Sequence, residues 1–171
     1  DPVSGESWSV STIYDNNWKY SDLRTFANID FYNTSFTNLE KDSVMVKEVD
    51  NSALSTGYSQ NDYRCENTQE KIFVLSGSDV ENSGYGFSNS GPYLDDSARQ
   101  KKPTDYAKCM GIYVHRSNGD AYDGCSDWWR RSPGPTSPCY AQRVTYRGHM
   151  SAVTRIDEGN IGFLPAAYFK F

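Results

Sequence analysis

Few residues in this chain of 171 carry the chemistry of an active site. The conspicuous ones are His115 and His149, the cysteines Cys65, Cys109, Cys125 and Cys139, and the acidic group Asp120, Asp123 and Asp127. No two cysteines stand as C-x-x-C, so a zinc site is not expected, and their spacing leaves every disulfide pairing open. No serine has a nucleophile-elbow context, and no glycine-rich phosphate cradle is present. Each histidine stands alone in a polar segment, where an imidazole is ordinarily a surface side chain and not a base. Asp120, Asp123 and Asp127 share one loop and offer the oxygen ligands that calcium takes. A solvated acidic loop has the same spacing and is the preferred reading, for these residues and for Asp95-Asp96. The expectation is a protein without catalytic residues, metal or cofactor.

A different chemistry, that of recognition, is better supplied. From Cys109 to Phe169 there is no lysine and Glu158 is the only glutamate, while Arg116, Arg130, Arg131, Arg143, Arg147 and Arg155 are all arginine. Tyr122, Tyr140 and Tyr146 lie among them. Tyrosine and arginine combine large contact area with directed hydrogen bonds, which is why they dominate binding hot spots. With Asp127, Thr136 and His149, these tyrosines and all of the arginines except Arg131 form the candidate ligand-binding set, in a display region of about 113–156.

Such a region needs a stiff support. Trp128-Trp129 buries much apolar area at one point and anchors the segment C-terminal to it. Pro133, Gly134 and Gly162 are assigned structural roles beside it. Pro133, Pro135 and Pro138 lack an N–H, so residues 132–139 are predicted to form neither a helix nor a central strand. Ala141, Val144 and Tyr146, then Val153, Ile156, Ile161 and Phe163, alternate with polar residues and predict short strands or a hairpin.

Upstream, Trp8, Val10, Ile13, Tyr14 and Trp18 predict one strand within residues 8–20, with a turn at Asn16-Asn17. Ser21 reads as an N-cap, followed by helical spacing at Leu23, Phe26, Ala27 and Phe31. Thr37-Asn38-Leu39-Glu40 reads as a capping box opening a second helix that includes Val44 and Met45. Residues 48–68 predict a loop or weak hairpin, and Lys71–Leu75 a buried strand. Residues 76–80 predict a short helix or turn, and 82–103 a long excursion of a functional kind. Thr104 caps a helix over 105–109 with Gly111 at its end, and Ile112–Val114 is a strand. Residues 115–127 are a polar loop. The fold class is α+β, with short helices, small antiparallel sheets and much irregular loop in a single domain over 1–171.

A net charge of −5 argues against general nucleic-acid binding, which needs a basic face. No apolar run reaches the length of a membrane span, and no signal peptide is visible. The chain opens at Asp1, not Met, which reads as a processed or excised piece with room for a strand upstream.

Several motifs in order resemble a bacterial domain family of unknown function. They are Asn17-Trp18 through Ser21-Asp22-Leu23-Arg24, Asn28, Phe31-Tyr32-Asn33, Phe36 and Glu40-Lys41. Lys71 through Ser76, Gly84-Tyr85-Gly86-Phe87, Thr104 through Lys108, Trp128 through Gly134 and Gly162 through Ala166 continue it. That family is similar to the C-type-lectin fold in the branch shared with formylglycine-generating enzymes. Leu164 stands where its closing motif usually carries arginine. The resemblance implies a C-type-lectin-like fold, which hosts unrelated functions. Calcium-binding lectins of this fold use Glu-Pro-Asn or Gln-Pro-Asp with Trp-Asn-Asp, none of which occurs here. The formylglycine-type enzymes bind copper through two C-terminal cysteines, and Cys125 and Cys139 match no such motif.

The lysine-free C-terminal third also resembles the variable region of diversity-generating retroelement proteins. There, template adenines are randomised. An AAC codon so treated cannot give Lys, Glu, Gln, Met or Trp, which makes Gln142 and Met150 scaffold positions. The implied function is a non-enzymatic variable protein that binds a protein ligand, at a cell surface, outside the cell or on a virion. Calcium-dependent carbohydrate binding is the alternative, and a copper enzyme of the formylglycine-generating type a further one.

Overall fold

The computed structural model describes residues 15–88 and 91–170. Most of the strand expected within 8–20 lies outside them, and Trp18 belongs to a 3-10 turn, Trp18–Tyr20. The indole of Trp18 is buried and its Nε1 donates to Glu70 at 3.2 Å. Ser21 caps helix α1 (Asp22–Phe26), its Oγ accepting from Arg24 N at 3.1 Å. The helix runs on through a π-helical turn, Ala27–Phe31, into α2 (Tyr32–Ser35). The capping box at Thr37 and Glu40 opens α3 (Asn38–Ser43).

Contrary to expectation, that helix stops before Val44. Residues Val44–Met45 form strand β1, which pairs antiparallel with the last strand, β7 (Tyr168–Phe169), so that Val44 faces Phe169. The weak hairpin expected across 48–68 is present as β2 (Lys47–Val49) against β3 (Thr68–Glu70), with a long loop between. The middle of the run 71–75 is buried, but it is not a strand: only Phe73 bridges, to Ala166. Side chains take the backbone groups that a neighbouring strand would otherwise satisfy. Asn28 accepts from Lys71 N and Ile72 N and donates to Ile72 O, while Arg131 donates to Val74 O.

Helix α4 (Asp105–Cys109) is capped by Thr104, and Gly111 beyond it has φ +89°. Residues 112–114 form no strand either. Tyr113 N donates to Asn160 and His115 N to Cys125, single bonds to different segments. The main sheet comes last: β4 (Trp128–Pro133), β5 (Tyr140–Val144) and β6 (Met150–Arg155), antiparallel with β5 in the centre. Ser132 and Pro133 therefore do lie in a strand. It is an edge strand, where a missing N–H is tolerated.

Apolar clusters pack around these elements. One joins Trp18, Val49, Cys65, Phe73 and Val74; a second joins Val80, Trp128, Val144 and Met150; a third joins Ala27, Tyr32 and Ile72. Trp128 is fully inside, whereas Trp129 is only half-buried, so the anchor is chiefly Trp128. All four cysteines are free thiols. Among the described residues no helix is long and apolar enough to cross a membrane.

Gly134 closes the passage from β4 to β5, its N–H donating to Tyr140 O at 2.8 Å. A Cβ there would lie 2.5 Å from Ala152 O and 2.8 Å from Tyr140 Cβ. Gly134→Ala should therefore lower unfolding free energy by about 1–3 kcal/mol in urea titration. A change within about 0.5 kcal/mol, the range of ordinary surface substitutions, would mean that the two strands are not held this close.

Candidate functional site

The β5–β6 turn carries the site. Thr145 N donates to His149 O and Gly148 N to Thr145 O, both at 2.8 Å, and Thr145 Oγ1 accepts from His149 N. Gly148 has φ +84°, and a Cβ on it would lie 2.3 Å from Asp96 O, so no other residue fits. The turn is bonded to the 82–103 excursion from both sides. Asp96 N donates to Arg147 O, and Met150 N donates to Pro92 O at 2.7 Å.

Arg99 locks the two together. Its side chain is 0 % exposed; Nε donates to Gly148 O at 2.7 Å, and the other nitrogens reach the carbonyls of Val80, Ser88, Gly91 and Leu94. Asp96, also buried, lies 3.3 Å from Arg99 Nε and accepts from Ser88 Oγ. Asp96 is thus structural, not solvated.

On this frame the turn presents an aromatic and charged cluster. Tyr146 stacks on His115 with centroids 4.1 Å apart and planes 8° from parallel. Tyr113 and Tyr122 flank Tyr146 at 6.3 and 6.2 Å. The Arg147 guanidinium lies over the Tyr122 ring at 5.0 Å. Asp95 is the hub. It accepts from the Tyr122 hydroxyl and from Arg147 Nε at 3.2 Å, and lies 2.5 Å from His149 Nε2.

The hydrogen bond from Tyr122, aided by Arg147 and His149, holds the Asp95 carboxyl down at about 2. His115 Nε2 is 2.7 Å from Asp120, whose carboxyl is lowered chiefly by that contact. Asp127 accepts from Tyr146 N at 2.6 Å and pairs with Arg143 at 2.8 Å. Burial nevertheless pushes its carboxyl up. The three aspartates of the acidic loop go to separate partners: Asp123 accepts from Ser117 N. Among the described residues no three carboxylate, imidazole or thiol groups converge to hold a metal ion.

The structure thus gathers Tyr122, Tyr146, Arg147 and His149 into one patch, with Arg143 tied to it through Asp127. Arg116 is exposed in the adjoining loop. Tyr140 and Arg155 face each other across the opposite end of the hairpin, where Thr136 is exposed and Arg155 pairs with Asp157. Arg130 and Asp127 are buried and do not stand on the open surface. In Arg130's case the strand carries its side chain inward, where Nη2 donates to Ser151 O.

Sequence reasoning missed Asp95, Arg99, Tyr113 and the pairing of His115. In the sequence Asp95 and His115 look like ordinary solvated residues, because Tyr122, Arg147 and His149, which Asp95 collects, and Tyr146, which stacks on His115, lie far along the chain. Of the structural set, Trp128 Nε1 donates to Arg99 O, and Gly162 bonds Trp129 N and Asp127 O through its carbonyl and amide.

The chain belongs to the family described as a domain of unknown function, DUF6273, whose profile matches residues 3–165. No curated protein and no solved structure matches it significantly.

The Asp95 hub has a pH signature. Because its carboxyl is depressed when folded, its stabilisation of the cluster is fully present above the ordinary carboxylate value of about 3.9 and is lost as pH falls toward about 2. Carboxyl-carbon NMR should place the Asp95 midpoint near 2, and Tyr122→Phe should raise it. A midpoint already near 3.9 in the unmodified chain would mean that the cluster does not form in solution.

Proposed function

We propose that this chain is a non-enzymatic recognition domain of C-type-lectin-like fold, a variable protein of a diversity-generating retroelement that binds a protein ligand through the β5–β6 turn and its neighbours. The observation that carries this reading is the patch of Tyr113, His115, Tyr122, Tyr146, Arg147 and His149, displayed on a turn whose backbone is fixed from beneath by Arg99. Rigid aromatic and arginine side chains on a preorganised backbone are the composition of a protein-binding face.

Two further features support it. Within residues 130–156, Gln142 and Met150 alone fall outside the palette of randomised AAC codons, and they are 1 % and 8 % exposed. Those that fall within the palette and face outward can change at little cost, since surface substitutions seldom disturb stability. The pairing of early β1 with final β7, and a main sheet built from late residues, suit the C-type-lectin-like assignment. Asp127 serves here as a support, orienting Tyr146 and Arg143, and is not a contact.

The source genome tests the retroelement. A near-copy of the segment encoding about 113–156, differing mainly at adenines and lying beside a reverse-transcriptase gene, is expected; a locus with neither contradicts it. Binding tests the surface. For a protein ligand selected on the unmodified chain, Tyr146→Ala and Arg147→Ala should each weaken affinity by about tenfold or more, while EDTA leaves it unchanged. Affinity abolished by EDTA and indifferent to both substitutions would overturn the reading in favour of calcium-dependent binding.

A further inference from the structure

Arg130 is the one arginine of the expected contact set that the fold turns inward, and its surroundings are unusual for a buried cation. The side chain is 5 % exposed. Its hydrogen bond runs from Nη2 to Ser151 O at 3.1 Å, and Nε, fully inside, has no partner. No carboxylate of the described residues pairs with it. The other buried arginines differ: Arg99 has Asp96 and a set of carbonyls, and Arg131 has Asp79 at 2.6 Å. Burial, joined by the charge of Arg99, pulls Arg130 down to about 9, and Tyr58 and Glu81 oppose the shift. A buried charge without a paired carboxylate is costly.

Arg130 borders a cavity of about 310 Å³. Its floor is the sheet face of Arg130, Gln142, Met150 and Ala152, and its walls include Tyr58, Tyr93 and Glu81. The volume is in the range of small-molecule sites. Tyr93 is largely exposed and stands at the rim. Gln142 spends its amide nitrogen on Thr56 O and Pro133 O, which leaves Arg130 as the positive donor of the pocket.

We propose that this cavity binds a small organic monocarboxylate with a flat or apolar body, its carboxylate held by Arg130 and its body lying between Tyr58 and Tyr93. A guanidinium fork with free N–H groups matches a carboxylate in geometry as well as charge. Glu81 on the wall disfavours a doubly charged phosphate, and the tyrosines favour an aromatic or aliphatic body over a bare inorganic ion. This site lies on the β4–β5–β6 face and does not depend on the recognition patch at the turn. Its failure would leave the display reading untouched, and the reverse holds.

The test is calorimetric titration of the full chain with benzoate and with N-acetylphenylalanine. N-acetylphenylalaninamide, which lacks the carboxylate, and inorganic phosphate serve as controls. Both carboxylates should bind, and the amide and phosphate should bind at least about tenfold more weakly. Benzoate binding without N-acetylphenylalanine binding assigns the site to small free acids; binding of both admits a peptide's terminal carboxylate. Arg130→Met should abolish binding while leaving the unliganded chain as stable or more so, because it removes an unpaired buried charge. Tyr93→Ala, at a largely exposed position, should weaken both carboxylates several-fold. Absence of carboxylate binding, phosphate binding as tight as benzoate, or benzoate affinity unchanged in Tyr93→Ala and Arg130→Met would overturn the proposal.

Discussion

Everything at the candidate site depends on one buried cation. Arg99 is removed from water altogether, and a charge in that position survives only when its donors are matched. The chain matches them with backbone carbonyls of Val80, of the 82–103 excursion and of Gly148, and with Asp96. The exchange works in both directions. A segment rich in glycine, serine and proline cannot satisfy its own carbonyls through a ladder, and Arg99 satisfies them. In return the excursion is fixed against the β5–β6 turn, whose Arg147 carbonyl and Met150 amide bond Asp96 and Pro92.

That arrangement explains how one chain can be rigid and displayed at the same place. Trp128 seals the underside, donating to Arg99 O from within the apolar cluster of Val80, Val144 and Met150. Above it, Tyr146, Arg147 and His149 project from a turn whose own hydrogen bonds involve almost only backbone. Asp95, next to buried Asp96, faces the opposite way and collects Tyr122, Arg147 and His149. One acidic pair thus supplies both a structural anchor and the centre of the surface cluster. The sheet face behind the turn is a separate environment, where Arg130 borders a cavity and forms no ion pair among the described residues.

Local signals were legible in the sequence, and distant partnerships were not. Ser21, the Thr37–Glu40 box and Thr104 cap their helices as read, because a cap is decided within four residues. The alternation over 140–155 gave the hairpin. The strands expected at 71–75 and 112–114 failed for one physical reason: an extended apolar run becomes a strand only if another strand accepts its hydrogen bonds. Asn28, far away in sequence, took those of Lys71 and Ile72. The proline argument correctly excluded a central strand but not an edge strand ending at Pro133. At the site, Tyr122, Tyr146, Arg147 and His149 were foreseeable from residue type, whereas Asp95 and Arg99 were not. Their roles come from a fold that brings residues 95–99 against 147–149, and no local pattern encodes that contact.

Native-state hydrogen exchange tests the dependence on Arg99 most directly, at the amides of Asp96, Gly148 and Met150. If the buried guanidinium locks excursion and turn into one framework, these amides exchange only with global unfolding, at the same free energy as the amides of central strand β5. Exchange through a local opening well below that free energy, with β5 still protected, would contradict the account.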